Sequence, residues 1–139
     1  YSVEQMYLLV ADVESYSNFL PWCQKSEVIS QTEEEVRASL TLSFSGMHKS
    51  FTTCNRMQPF KMIEVRLVEG PFHHLEGFWR FEALGEEGCK VTLDLEFEFS
   101  NKLFSLMLGP IFTQVTNSLV DSFCQQAHKL YGKMADATN

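Results

Sequence analysis

The side chains through which this chain could do chemistry are few. His73 and His74 followed by Glu76 form an H-H-x-E string of metal-ligand types. Side chains alternate along a strand, so His74 and Glu76 share one face and His73 takes the other. An i, i+2 pair is a thin basis for a metal site, and a solvated strand end is the plainer reading. His48, close to Gly46, reads as a turn residue, and Asp121, between Val120 and Ser122, as the wet side of a helix. Asn55 and Arg56 are the best candidates for a polar anchor in an apolar cavity; an outward arginine beside a satisfied asparagine competes with that reading. Tyr7, Tyr16 and Tyr131 offer hydroxyls among which the sequence does not choose. No nucleophile-elbow, phosphate-loop or dinucleotide glycine pattern occurs, so no catalytic residue, metal or covalent cofactor is assigned and no enzyme is expected.

Composition narrows the partners. A chain of 139 residues with 45% hydrophobic and 21% charged side chains fits one ordinary globular domain. The formal net charge of −7 makes a poor general binder of phosphate backbones, which need Lys and Arg to release counterions, so DNA is not an expected partner. Cys23, Cys54, Cys89 and Cys124 are widely spaced with no C-x-x-C pair and read as reduced thiols. No apolar run approaches the roughly 20 residues of a bilayer crossing and no signal-like segment opens the sequence, so a soluble, cytoplasmic protein is expected.

The positioning elements follow from periodicity. Ser2 and Gln5 have capping-box spacing ahead of Met6, Leu9 and Val10, predicting a short helix that ends near Ala11 or Asp12. Asp12 opens a second short helix through Ser15 to Phe19, which Pro21 stops. Period-two patterning then predicts six strands, centred on residues 27–30, 36–44, 49–57, 62–69, 75–84 and 91–99, in an antiparallel meander, with Gly46 breaking the second. Residues 102–131 carry Leu103, Phe104, Met107, Leu108, Phe112, Val115, Leu119, Phe123, Ala127 and Leu130 at steps of three and four, the period of one long helix. Gly109-Pro110 predicts a kink, a helix that begins after it, or a hinge. The class is α+β: a curved antiparallel sheet gripping one long helix, with residues 1–132 as the domain and 133–139 as a flexible tail. Phe44, Phe51, Trp79, Phe81, Phe97, Phe99, Phe104 and Phe112 are expected to converge between sheet and helix, as packed core or as the wall of a cavity.

Several strings add a resemblance. Glu4-Gln5-Met6, Leu9-Val10-Ala11-Asp12-Val13-Glu14, Phe19-Leu20-Pro21-Trp22-Cys23, Leu67-Val68-Glu69-Gly70-Pro71-Phe72, Leu75-Glu76-Gly77-Phe78-Trp79-Arg80-Phe81, Leu93-Asp94-Leu95-Glu96-Phe97-Glu98-Phe99 and Gly109-Pro110 with Ser118-Leu119-Val120-Asp121 together resemble the RatA and coenzyme-Q-binding family of the START-like, polyketide cyclase/dehydrase superfamily. The resemblance implies a helix-grip fold and a hydrophobic tunnel that in the coenzyme-Q branch holds ubiquinone and supports respiration. It also implies, for bacterial members, a ribosome-association toxin that binds the large ribosomal subunit and blocks subunit joining. The family has a strand ahead of the residues that match Tyr1, so that first strand is expected to be missing here, leaving a sheet edge unpaired.

The leading expectation is thus a non-enzymatic module for a hydrophobic small molecule, ubiquinone or a related isoprenoid quinone or lipid, with transient contact at the surface of the inner membrane. Wall residues are assigned to Leu42, Phe44, Leu67, Trp79, Phe81, Leu95 and Phe97 from the sheet and Leu108, Phe112, Val115 and Leu119 from the helix. The alternative is surface-mediated binding to the large ribosomal subunit through a basic patch of Lys25, Lys49, Arg56, Lys61 and Arg66. A cyclase-like enzyme ranks third, because its cavity would need an acid/base pair.

Overall fold

Ser2 opens the first helix as expected: its hydroxyl accepts from the Gln5 backbone N–H at 3.1 Å, and the Gln5 side chain accepts from the Ser2 N–H at 2.9 Å. The helix, α1 (Val3–Ala11), buries Met6, Tyr7, Leu9 and Val10. A single 3₁₀ turn, Val13–Ser15, leads into α2 (Tyr16–Phe19). The computed structural model describes residues 1–44, 47–86 and 88–132, without the side chains of Phe44, Met47 and Phe104. The expectations for Gly46 as a strand breaker and for a tail at 133–139 lie outside the described residues.

Six strands follow: β1 (Cys23–Gln31), β2 (Glu35–Phe44), β3 (Met47–Gln58), β4 (Met62–Glu69), β5 (Phe72–Leu84) and β6 (Gly88–Phe99). They form one curved antiparallel sheet in the order β1-β2-β3-β4-β5-β6. This is the meander that short turns between alternating segments require. Register shifts in β1, beside Thr52 and between Phe72 and His74 insert extra residues that bend and twist the strands. The last of these puts both Phe72 and Leu75 on the buried face while His73 and His74 are exposed. Both histidines thus lie on the wet side, where His74 Nε2 sits 3.7 Å from Glu96. Gly85 takes φ +75°, a left-handed conformation, beside the β5–β6 connection.

The long helix, α3 (Lys102–Ala127), is capped by the Asn101 side chain, which accepts from the Leu103 N–H at 2.8 Å, and ends in one π-helical turn, His128–Gly132. It runs through Pro110 as one helix and begins eight residues before it, so the expectation of a start after Gly109-Pro110 is corrected. Its covered stripe is Leu108, Phe112, Val115, Phe123 and Ala127. Leu103, Leu106 and Met107 are 59%, 78% and 47% exposed, which corrects the assignment of Leu103 and Met107 to the apolar face. At about 100° per residue they sit roughly 120–160° round the helix from that stripe. Leu130, in the π-helical turn that shifts the phase, is also exposed. Among the described residues no helix is long and apolar enough to cross a membrane.

Candidate functional site

Two aromatic groupings brace the interior at opposite ends of α3. Near its start, Phe72 stacks on Phe99 at 4.7 Å, and Phe97 and Phe72 meet Phe112 at 4.6 and 5.1 Å. Near its end, Phe123 is fully buried and meets Tyr16, Phe19 and Trp79 edge-on, each at 5.2 Å. Between these groupings the floor of the sheet is made of short side chains. Val36 and Ala38 on β2 pair in register with Asn55 and Thr53 on β3, and Asn55 pairs with Val65 on β4. Gly77, next in that row, has no side chain at all; a Cβ there would lie 2.7 Å from Leu95 Cδ1, so Leu95 leans across it.

The result is a cavity of about 90 Å³. Val10, Ala11, Val13, Tyr16 and Trp22 close it from the amino-terminal segment. Val36, Ala38 and Leu40 from β2, Phe51, Thr53, Asn55 and Met57 from β3, and Ile63 and Val65 from β4 form its floor. Leu75, Trp79, Leu93 and Leu95 complete the sheet side, and Phe112, Val115, Leu119 and Phe123 the roof. Among the described residues no charged side chain is in the wall. The space is of the order of the roughly 150 Å³ apolar hole that stays dry and binds benzene. Left empty it costs about 2 kcal/mol of packing, at roughly 24 cal/mol per Å³. Two surface clefts share its wall residues, one at Ala11, Val13 and Val36, the other at Trp22 and Val115.

Polar groups in the wall are sparse and neutral. Thr53 and Asn55 are 5% and 8% exposed, and Thr53 Oγ1 donates to Asn55 Oδ1 at 3.0 Å. The Tyr16 hydroxyl donates to the Val10 carbonyl, and burial, reinforced by Asp12 and Cys23, pushes its ionisation well above the usual phenol range. Burial also pushes the neighbouring Cys23 thiol up to about 11. Neither group is a base near neutral pH. Among the described residues no cluster of three His, Cys, Asp or Glu side chains is arranged to hold a metal.

The structure brings together Trp79, Leu95, Phe112, Val115, Leu119 and Asn55 of the sequence-assigned residues. The others stand elsewhere. Leu42, Leu67, Phe97 and Leu108 belong to the packed aromatic end, where rings fill the space that a tunnel would need, and their assignment as wall residues is corrected. Phe81 packs on Tyr7 at 5.5 Å, outside the cavity. Arg56 is exposed, because alternation allows only one of two neighbours to face inward, and Asn55 does. Phe44's side chain lies outside the described residues. Sequence reasoning missed the amino-terminal wall and the Val36, Ala38 and Thr53 floor. The available signal was the run of short side chains on the dry face of two adjacent strands.

Comparison with known proteins agrees with this architecture. Residues 1–124 match the family model described as polyketide cyclase/dehydrase and lipid transport. The ribosome association toxin RatA of Pseudomonas aeruginosa is 46% identical over 132 residues, covering 95% of this chain and 92% of that protein. The mitochondrial coenzyme Q-binding protein COQ10 homolog B of Xenopus laevis is 33% identical over 138 residues, covering 96% of this chain and 56% of its own. The crystal structure of the Zhui aromatase/cyclase from a Streptomyces species shares the fold at TM-score 0.77 and 18% identity, over 92% of this chain and 87% of that one. With a curved antiparallel sheet gripping one long helix and relatives of this similarity along nearly its whole length, the chain belongs to the polyketide cyclase/dehydrase and lipid transport family, together with proteins named RatA.

Proposed function

We propose that this chain binds a lipophilic small molecule, ubiquinone or a related isoprenoid quinone, in the cavity beneath α3, and performs no chemistry on it. The observation that carries the reading is an uncharged, almost wholly apolar cavity kept open at a packing cost of about 2 kcal/mol. A relative named for binding coenzyme Q supports the choice of ligand. Each methylene taken from water contributes ~0.8 kcal/mol, so a few isoprene units offset the entropy of association. Drug-sized ligand pockets run to roughly 300–1,000 Å³, so a whole quinone widens this space or leaves its tail in one of the adjoining clefts. The lack of a charged or base-like group in the wall among the described residues supports a carrier over a cyclase. The test is to titrate the protein with decylubiquinone. Saturation near 100-fold over Kd stabilises it by about 2.7 kcal/mol, and an unchanged denaturation midpoint at every concentration overturns the reading.

A second reading has a specific observation behind it, the 46% identity to a protein named for ribosome association. It places function on the surface, at the large ribosomal subunit. Of the basic patch, Lys25 pairs with Glu27 at 3.1 Å, and Arg66 with Glu64 at 2.8 Å and Glu76 at 3.8 Å, while Arg56 and Lys61 are exposed. Sedimentation with large subunits decides it: co-sedimentation that weakens steeply with salt supports the reading, and none at low salt removes it.

A further inference from the structure

Asparagine is a poor strand former, and a central strand under a helix is an unfavourable place for its amide. Asn55 nonetheless sits there, more than nine-tenths buried, on the cavity face of β3. Its acceptor is engaged, because Thr53 Oγ1 donates to Oδ1 at 3.0 Å from two positions away on the same face. That bond fixes the amide so that Nδ2 is the group left over. Among the described residues nothing accepts from Nδ2. Nor is it sealed in protein, since no fully enclosed side-chain nitrogen or oxygen among them lacks a partner. On this face of the strand, the open space that meets it is the cavity.

We propose that Asn55, oriented by Thr53, is the specificity-determining residue of this cavity, donating from Nδ2 to a carbonyl oxygen on the head of an otherwise apolar ligand. The inference rests on the lipophile-binding reading above and deepens it. A bare hydrocarbon leaves the amide unsatisfied, whereas a carbonyl meets it. The same geometry favours a quinone over its reduced form. A phenolic oxygen is the weaker acceptor, and its own proton enters a wall whose free polar group is a donor. The head then lies over β3, between the two aromatic groupings, and the tail runs toward a cleft.

The test compares decylubiquinone with decylbenzene, which keeps the alkyl chain and lacks the carbonyls, on the full chain and on Asn55→Leu. The unmodified protein is expected to bind decylubiquinone about tenfold or more tightly than decylbenzene, the equivalent of one well-made buried hydrogen bond. Asn55→Leu should bring decylubiquinone down to the decylbenzene level while decylbenzene binding holds or improves. Thr53→Val, which keeps shape but frees the amide, should lose part of the discrimination, and it carries the test where Asn55→Leu fails to fold. Discrimination that survives in Asn55→Leu, or that is undiminished in Thr53→Val, overturns the carbonyl assignment, and so does equal binding of both probes to the unmodified protein. If neither probe binds, the lipophile reading falls together with this one.

Discussion

Under the first half of α3, Phe72 stacks on Phe99 at 4.7 Å and Phe97 meets Phe112 at 4.6 Å; under its middle, Ala38, Thr53 and Asn55 leave about 90 Å³ unfilled. Both regions lie between the same sheet and the same helix, so topology does not separate them. Side-chain volume does. A helix held off a sheet by rings at both ends cannot settle onto short residues between them, and the gap persists because protein interiors relax only partly around missing volume.

The comparison can be broken by substitution. Phe72→Ala at the packed end should cost about 3–5 kcal/mol in denaturant unfolding with the slope unchanged. A loss below about 1 kcal/mol would show that this end is not solid. Val65→Phe, which adds a ring on the cavity floor, should change stability by under about 1 kcal/mol where a tight core would lose roughly 1–3, and should weaken decylubiquinone binding about tenfold or more. Unaltered binding in that variant would place the ligand elsewhere.

The smallest effect comes from titration. The groups whose ionisation burial raises, Tyr7, Tyr16, Cys23 and Cys89, belong to or pack against the core around the cavity, and the aromatic end has none of them. A raised folded-state value means that the native form keeps its proton longer than the unfolded chain does. The Cys23 contribution is fully present below about pH 9, the ordinary thiol value, and is lost as pH rises toward about 11. Alkaline stability curves should fall from about pH 9, and Cys23→Ala should flatten the first part of that fall. An identical curve in the variant would remove Cys23 as its cause.

Periodicity made the scaffold legible: the Ser2/Gln5 capping box, the six alternating strands and the covered stripe of α3 are all written in residue spacing. The hollow was not legible by the same route. Spacing leaves the aromatic residues as packed core or as cavity wall without choosing, and Phe97 and its neighbours are packed core, since rings packed edge-on leave no room between them. Alternation placed Asn55 or Arg56 inward without choosing, and the choice came from the ladder that sets Asn55 opposite Val36 and Val65. The register shift between Phe72 and His74 has no mark in the pattern, so the buried position of Phe72 went unread.

Two hydrogen bonds join the amino-terminal segment to the far end of the chain: the Tyr131 hydroxyl donates to the Gln5 carbonyl at 3.4 Å, and Tyr1 Oη lies 2.9 Å from His128 Nδ1. These residues are 126 and 127 positions apart, whereas each strand pairs with the next through a short connection. Contacts so distant in sequence carry the largest loop-closure entropy and form late, after local hairpins have zipped. By that argument the roof over the cavity is expected to seat after the hairpins, and until it does the short-sided floor of β2 and β3 is an open trough.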